Sequence, residues 1–481
     1  MMTTDKITLR DKVGYGFGDM SSSMFWKIFG MYLLFFYTKV FGISPAAAGT
    51  MFLVIRVFDS VTDPIMGVIA DRTTTRWGKY RPYLLWFAIP FAVVGVLMFY
   101  TPDVGETGRL VYAYITYALM MVVYTAVNVP YASLLSAMSP VPQERNILSS
   151  YRMFFAFIGS FITFMLLQPL VDFFAATFDP ASVAMSNSSD TSISQSPIGW
   201  TLAVAVIGVI CAVLFFLCFK MTRERVKPIN EDQDTSIKKD LRNLARNFPW
   251  WILMVSGIGS LLFNAIRDGV ALFYFNDYIQ INYKMPYLGW TLATIYLLVG
   301  QAANMIGVAL SAPLSNRYGK KQTYMGAMGI AAVLSTFFFM LKPDQIGLIL
   351  LLQTLISICA GYVLPLLWSM YADIVDDQEL KTGRRATGLI FSSSSMSQKM
   401  GWAIGAALTG WLLAAFGYDQ DAAMQSESAI NGVKLMMSWL PAISCVLALV
   451  SMFFYPLSEK KVKEITEELE KRRGYIDSNE E

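Results

Sequence analysis

The sequence predicts an all-α membrane protein of twelve transmembrane helices, arranged as two halves of six. Three observations predict it. Hydrophobic residues make up 55% of the 481 residues and charged residues only 15%, where a soluble domain would carry about 25% charged; mean hydropathy is +0.47. Apolar runs of about 20 residues, the length that spans a bilayer, recur from end to end. A polar stretch, Thr222–Asn247, divides those runs into two sets of six.

The elements follow in order. Met1–Lys12 is polar and charged, without the short apolar core and cleavage site of a signal peptide. The first span, 13–40, carries Asp19, Ser23 and Lys27 at i, i+4 and i+8, hence on one face. The second, 45–70, contains Arg56, Asp59, Thr62 and Asp63; the third, 82–101, is apolar. The fourth, 110–138, holds Tyr124, Thr125 and Asn128, and the fifth, 150–176, opens at Arg152. The sixth is 199–220; the seventh, 249–280, carries Arg267 and Asp268. The spans 286–312, 323–341 and 345–371 follow. The eleventh, 386–416, sets Gly388, Ser392, Ser395 and Lys399 on one stripe, and the twelfth is 430–456. Gly401–Gly405 in the eleventh reads as a seam between helices, which small residues favour in membranes.

Placement of charge sets the orientation. Lys and Arg gather in Asp71–Arg81, Lys220–Arg246, Arg317–Lys321, Lys381–Arg385 and Lys460–Arg473, all on one side of the twelve spans. Asp172–Gly199, on the other side, has neither. The positive-inside bias then puts both termini in the cytoplasm of a bacterial-type inner membrane. The expected organisation is a first bundle at 1–221, a linker at 222–248, a second bundle at 249–456 and a tail at 457–481. A weak internal repeat agrees with it. Asp71-Arg72 and Trp77-Gly78-Lys79 follow span two, and Asn316-Arg317-Tyr318-Gly319-Lys320-Lys321 follows span eight. Basic, glycine-containing turns at equivalent places look like the major facilitator fold, in which two six-helix bundles rock about a central site. The segment Asp179–Ser196 reads as a flexible loop, and the tail as a solvated helix with Val462, Ile465 and Leu469 on one side.

Several function classes are disfavoured. The four cysteines, Cys211, Cys218, Cys359 and Cys445, all lie in apolar runs, and the chain contains no histidine. That leaves no zinc motif, no disulfide framework and no imidazole proton relay. No catalytic motif of an intramembrane enzyme is present. The basic segments are explained by topology, so no nucleic-acid partner is expected.

The informative feature is Asp59 with Asp63 inside a membrane span. Four residues apart, they share a helical face about 6 Å apart. At an effective dielectric of about 20, two such charges repel by roughly 2.8 kcal/mol. Acids at membrane depth are costly and mark ion pathways. The pair therefore calls for a cation, a bound proton or sodium, with Thr62 and Thr125 as further hard oxygen donors. The bland alternative is structural: an i, i+3 ion pair of Arg56 with Asp59, and threonines bonded back to helix carbonyls.

Five runs then carry a family resemblance. They are Tyr15-Gly16-Phe17-Gly18-Asp19, Asp59-Ser60-Val61-Thr62-Asp63-Pro64-Ile65-Met66-Gly67, Arg76-Trp77-Gly78-Lys79-Tyr80-Arg81-Pro82, Trp368-Ser369-Met370-Tyr371-Ala372-Asp373 and Gly383-Arg384-Arg385-Ala386-Thr387-Gly388. Over nearly its whole length the chain resembles the glycoside–pentoside–hexuronide:cation symporters, typified by the melibiose permease. The resemblance implies sugar uptake driven by sodium or proton, with no cofactor beyond the co-transported ion, and a monomer in the bilayer. It implies a cation site at Asp59, Thr62, Asp63 and Thr125. It implies sugar contacts at Ser23, Tyr124, Asn128, Arg152, Ser395 and Lys399, to which the charge pattern of span one adds Asp19 and Lys27. Three departures matter: Thr62 stands where the family commonly has Asn, Ser23 and Asn128 stand where galactoside carriers have acids, and Ala132 replaces a tryptophan that packs on the sugar. Galactoside specificity is therefore not expected. With two acids gone and Lys27, Arg152 and Lys399 present, with Arg267 a further candidate, an acidic sugar such as a uronide is one expectation. A neutral glycoside is the other, should those bases pair with Asp19 and Asp268. The rival activity on the same fold is cation-coupled transport of a lysolipid or other amphiphile.

Overall fold

A computed structural model describes residues 7–139, 142–180, 194–225, 244–281, 283, 285, 289–382, 387–420, 422 and 424–477. Most of the 179–196 loop and of the 222–248 linker, and Gly383–Ala386 of the last quoted run, fall outside these residues. Among the described residues the regular structure is helical, with an isolated bridge between Thr75 and Gly78.

Twelve rods and a tail helix make up the described chain. They are α1 (9–40), α2 (Pro45–Arg72), α3 (81–98), α4 (Glu106–Met138), α5 (Pro142–Phe178) and α6 (Pro197–Met221). Then come α7 (Phe248–Ile279), α8 (Leu292–Tyr318), α9 (Lys320–Met340), α10 (Ile346–Thr382), α11 (Thr387–Ala415), α12 (Glu427–Phe453) and the tail α13 (Glu459–Asp477). Eight are long and apolar enough to cross a bilayer by length and composition alone. Among the rest, α1 and α2 carry the membrane-depth charges at Asp19, Lys27, Arg56, Asp59 and Asp63.

Local chemistry explains where the rods begin and bend. Thr8 and Asp11 form a capping box at the start of α1, and Ser44 caps α2 with Pro45 as its first residue. Prolines inside rods remove one amide donor and free the carbonyl four residues earlier. Two of those freed carbonyls are taken by side chains. Pro169 in α5 frees Met165 O, which accepts Trp290 Nε1–H at 3.1 Å. Pro441 breaks α12 at Ser438 and frees Met437 O, which accepts from Arg267 at 3.1 Å. The second of these explains a charge at membrane depth: Arg267 also donates to Gln353 Oε1 at 2.8 Å and lies 4.6 Å from the Phe338 ring. It is a structural residue of α7. The α10 helix runs to Thr382, beyond the expected end at 371. Hydropathy stops there, but helix formers continue, and Asp373 and Asp377 are met by Lys320 at 2.7 Å and Lys381 at 2.6 Å.

By internal contacts the chain forms two compact units. The first is Met1–Glu231 with Gly269–Leu298 and Ala406–Val433; the second is Asp232–Asp268 with Val299–Gly405 and Lys434–Glu481. Each contains one copy of the repeat seen in the sequence. In the first, Gly78 has φ +116, and the following amides of Lys79, Tyr80 and Arg81 donate to the Glu224 carboxylate at 2.9, 2.8 and 2.9 Å. In the second, Gly319 has φ +88 and the Lys320 amide donates to Glu459 Oε1 at 2.7 Å. In both, a glycine in the left-handed region exposes the amino end of a helix to an acid that follows the sixth helix of its set. The tail helix α13 buries Ile465 and Leu469 in the second unit rather than standing fully solvated.

Candidate functional site in the first unit

Three of the four residues expected to bind the cation, Asp59, Asp63 and Thr125, are brought together between α2 and α4. Asp59 is 1% exposed and Thr125 2%. Thr125 Oγ1 lies 2.9 Å from Asp59 Oδ1 and 3.0 Å from Asp63 Oδ1. Three hard oxygens thus converge from two helices. A hydroxyl has one proton to donate and here faces two carboxylate oxygens. The second contact becomes favourable when a proton sits on one carboxyl, or when a small cation lies among the three oxygens. Of the expected four residues, Thr62 is the exception: its hydroxyl donates back to Asp59 O at 3.0 Å, the common fate of a helical threonine. Arg56 donates to Asp59 Oδ2 at 3.3 Å and stacks over Trp26 of α1 at 4.7 Å. The i, i+3 pair weighed from the sequence is therefore present, on the Asp59 oxygen other than the one that meets Thr125. Arg56, Asp59 and Asp63 still sum to minus one, and Asp71 and Arg72 at the end of α2 cancel.

The expected sugar side lies on α1, α4 and α5. Arg152 grips Asp19 with two nitrogens, Nε to Oδ2 at 3.1 Å and a terminal nitrogen to Oδ1 at 3.4 Å. The pair is partly open, with side chains 33% and 14% exposed. Beneath it Tyr131 stacks on Tyr15 with ring centres 4.7 Å apart, and Arg152 sits 5.2 Å from the Tyr131 ring. Sequence reasoning missed Tyr131 and Tyr15. Tyr131 sits three residues beyond Asn128, one turn along the same face, and that spacing was the available signal. Ser23 and Lys27 are half-buried on α1, Lys27 being 5.8 Å from the Phe164 ring. Tyr124, half-buried on α4, lies 5.8 Å from Trp26. Asn128 spends its amide on Tyr124 O at 3.0 Å. Lys399 belongs to the second unit, where it is half-buried, and the side chain of Ser395 lies outside the described residues. The pairing of Arg152 with Asp19 has a consequence for charge: a cation counted toward an acidic sugar is already met by a carboxylate. Among the described residues no cluster of three or more acids or cysteines offers a resident metal site.

Comparison with known proteins decides the family. The model of a family described as MFS/sugar transport protein matches residues 14–459. The chain belongs to the glycoside–pentoside–hexuronide:cation symporter family of the major facilitator superfamily. It is similar to the putative glycoside/cation symporter YagG of Escherichia coli, at 35% identity over 98% of this chain and 96% of that protein. It is similar also to the isoprimeverose transporter of Lactiplantibacillus pentosus, at 34% identity over 94% and 90%. Among solved structures, a bacterial homologue of the human lysosomal transporter Spinster superposes with a TM-score of 0.65. It does so at 12% identity over 93% of this chain and 95% of that one, a likeness of fold alone. This symporter-family chain is a multi-pass membrane transporter and not an enzyme.

Proposed function

We propose that this chain couples the inward flow of one monovalent cation, sodium or proton, to the uptake of a sugar. The observation that carries the proposal is the Thr125 hydroxyl set against both Asp59 and Asp63. Within α2 a net charge of minus one is matched by one such ion, while Arg56 prevents the bare site from holding two unbalanced acids. The Asp19–Arg152 pair offers an acceptor edge and a donor edge side by side, the combination that vicinal hydroxyls of a neutral pyranoside or pentoside bind. A neutral glycoside is therefore the substrate class favoured, with Ser23, Lys27, Tyr124, Asn128, Ser395 and Lys399 as further sugar contacts. Bundles at 1–221 and 249–456 would alternate access, with both termini cytoplasmic in an inner membrane.

The test is uptake into proteoliposomes across a sugar panel, with sodium and pH gradients imposed separately. Asp59→Asn and Asp63→Asn should each abolish accumulation against a gradient while leaving some downhill exchange. Normal accumulation by either variant would remove these acids from the coupling step.

A further inference from the structure

The first unit contains more than α1–α6: the ends of α7, α8 and α11 are seated on it. Several of the contacts that hold them are polar or made by small residues. α1 and α7 are the first helices of their respective sets, and both finish in a π turn, Phe36–Val40 and Tyr274–Ile279. Such turns are rare and concentrate at functional sites. Each carries a single charged residue, Lys39 in one and Asp277 in the other. Lys39 Nζ lies 3.8 Å from Asp277 Oδ1, with the side chains only 5% and 8% exposed. Tyr418, just past the end of α11, donates its hydroxyl to Asp277 Oδ2 at 2.7 Å, and Asn276 donates to Oδ1 at 2.8 Å. The Lys39 ammonium also sits 4.9 Å from the Tyr418 ring. Below this cluster Phe273 meets Phe35 and Tyr418, at 5.5 and 5.3 Å.

The neighbouring ties have the same character. Trp411 Nε1 donates to Thr50 Oγ1 at 2.9 Å, and Thr294 Oγ1 to Gln168 Oε1 at 3.0 Å. α2 and α11 cross at Gly49 and Gly410; a Cβ on Gly49 would lie 2.7 Å from Ala407 O. A buried ion pair returns little net stability, because removing two charges from water costs about what their attraction gives back. The same balance makes it easy to open: once apart, each charge recovers its water. An apolar plug of that size would pay the full cost of exposure each time it parted.

We propose that Lys39, Asp277 and Tyr418 form a latch that shuts the outward mouth of the transport path. It opens once per cycle, with the two π turns as the places where α1 and α7 yield. The assignment to the outward side rests on the orientation given under Proposed function.

The experiment labels a buried cysteine. Thr294→Cys is a near-isosteric change at a residue with no exposed surface. Its reaction with a membrane-impermeant maleimide is followed in right-side-out vesicles. Asp277→Asn strands the Lys39 ammonium in the closed state and should speed labelling about tenfold or more, while Lys39→Met/Asp277→Asn, which strands no charge, should label no faster than the latch-intact protein. Tyr418→Phe, which removes one hydroxyl and keeps the packing, should speed it less. Labelling of Asp277→Asn and Tyr418→Phe at the rate of the latch-intact protein overturns the proposal. Faster labelling only in inside-out vesicles overturns the outward assignment. Neither readout needs a substrate, so a failure to transport sugar would count against the proposed function and leave the latch standing.

Discussion

Thr125→Val tests the proposed cation site at its centre. Valine has nearly the shape of threonine, so the α2–α4 packing survives while the hydroxyl is lost. That hydroxyl lies within 3.0 Å of both carboxylates. A hydrogen bond to a charged group contributes about 1.5–3 kcal/mol. At about 1.4 kcal/mol per tenfold, the loss corresponds to roughly 10- to 100-fold weaker cation binding. The assay is sugar uptake into proteoliposomes as a function of sodium concentration at fixed pH, and of proton concentration without sodium. The half-saturating concentration of the coupling ion should rise by that factor, with little change in sugar binding at saturating ion. Thr125→Ser, which keeps the oxygen, should stay close to the wild type. An unchanged ion dependence in Thr125→Val would refute the argument, because the geometry leaves the hydroxyl no other role of comparable size.

Three further outcomes are expected. Arg152→Lys keeps the charge but loses the fork that holds both Asp19 oxygens, so the half-saturating sugar concentration should rise about tenfold or more; sugar-binding titrations check this. Neutral glycosides should compete with transported sugar while glucuronides compete weakly; strong competition by glucuronides alone would restore the acidic-sugar reading. Glu224→Ala strips the acceptor from three amides at the start of α3. A lost cap of this kind costs about 1–2 kcal/mol, visible as a lower melting temperature of the purified protein, with cation affinity unchanged.

Much of the fold was legible because a membrane simplifies the code. In hydrocarbon a helix must satisfy its own backbone, so apolar length alone marks a span. The charges that interrupt those spans were legible for the same reason: Asp59, Asp63, Asp19 and Arg152 are expensive there, and each is accounted for by a partner in the structure. What stayed hidden depends on three-dimensional meeting. The π turns of α1 and α7 leave no trace in hydropathy, so Lys39 and Asp277 looked like ordinary residues near span ends. Arg267 resembled a site residue because the carbonyl it satisfies is freed by a proline 174 positions later, at Pro441. The extension of α10 past Tyr371 was missed because hydropathy measures lipid, and that segment is helical in spite of leaving it.

The charge inventory of α2 also suggests how the two sites communicate without a long path. Arg56 is shared between Asp59 at 3.3 Å and the Trp26 ring at 4.7 Å. Trp26 lies on α1, three residues beyond Ser23 and seven beyond Asp19, so it is part of the helix that faces the proposed sugar. At the proposed site, a cation arriving among Asp59, Asp63 and Thr125 would compete with Arg56 for the same carboxylate and would shift its balance toward the indole. A cation–π contact is worth about 0.5–2 kcal/mol depending on how dry it is. Couplings between sites generally run to about 1–3 kcal/mol. One contact of this kind is therefore of the right size to link ion occupancy to the set of α1. It would act through a neighbour already touching both helices, and the rest of each bundle can remain rigid.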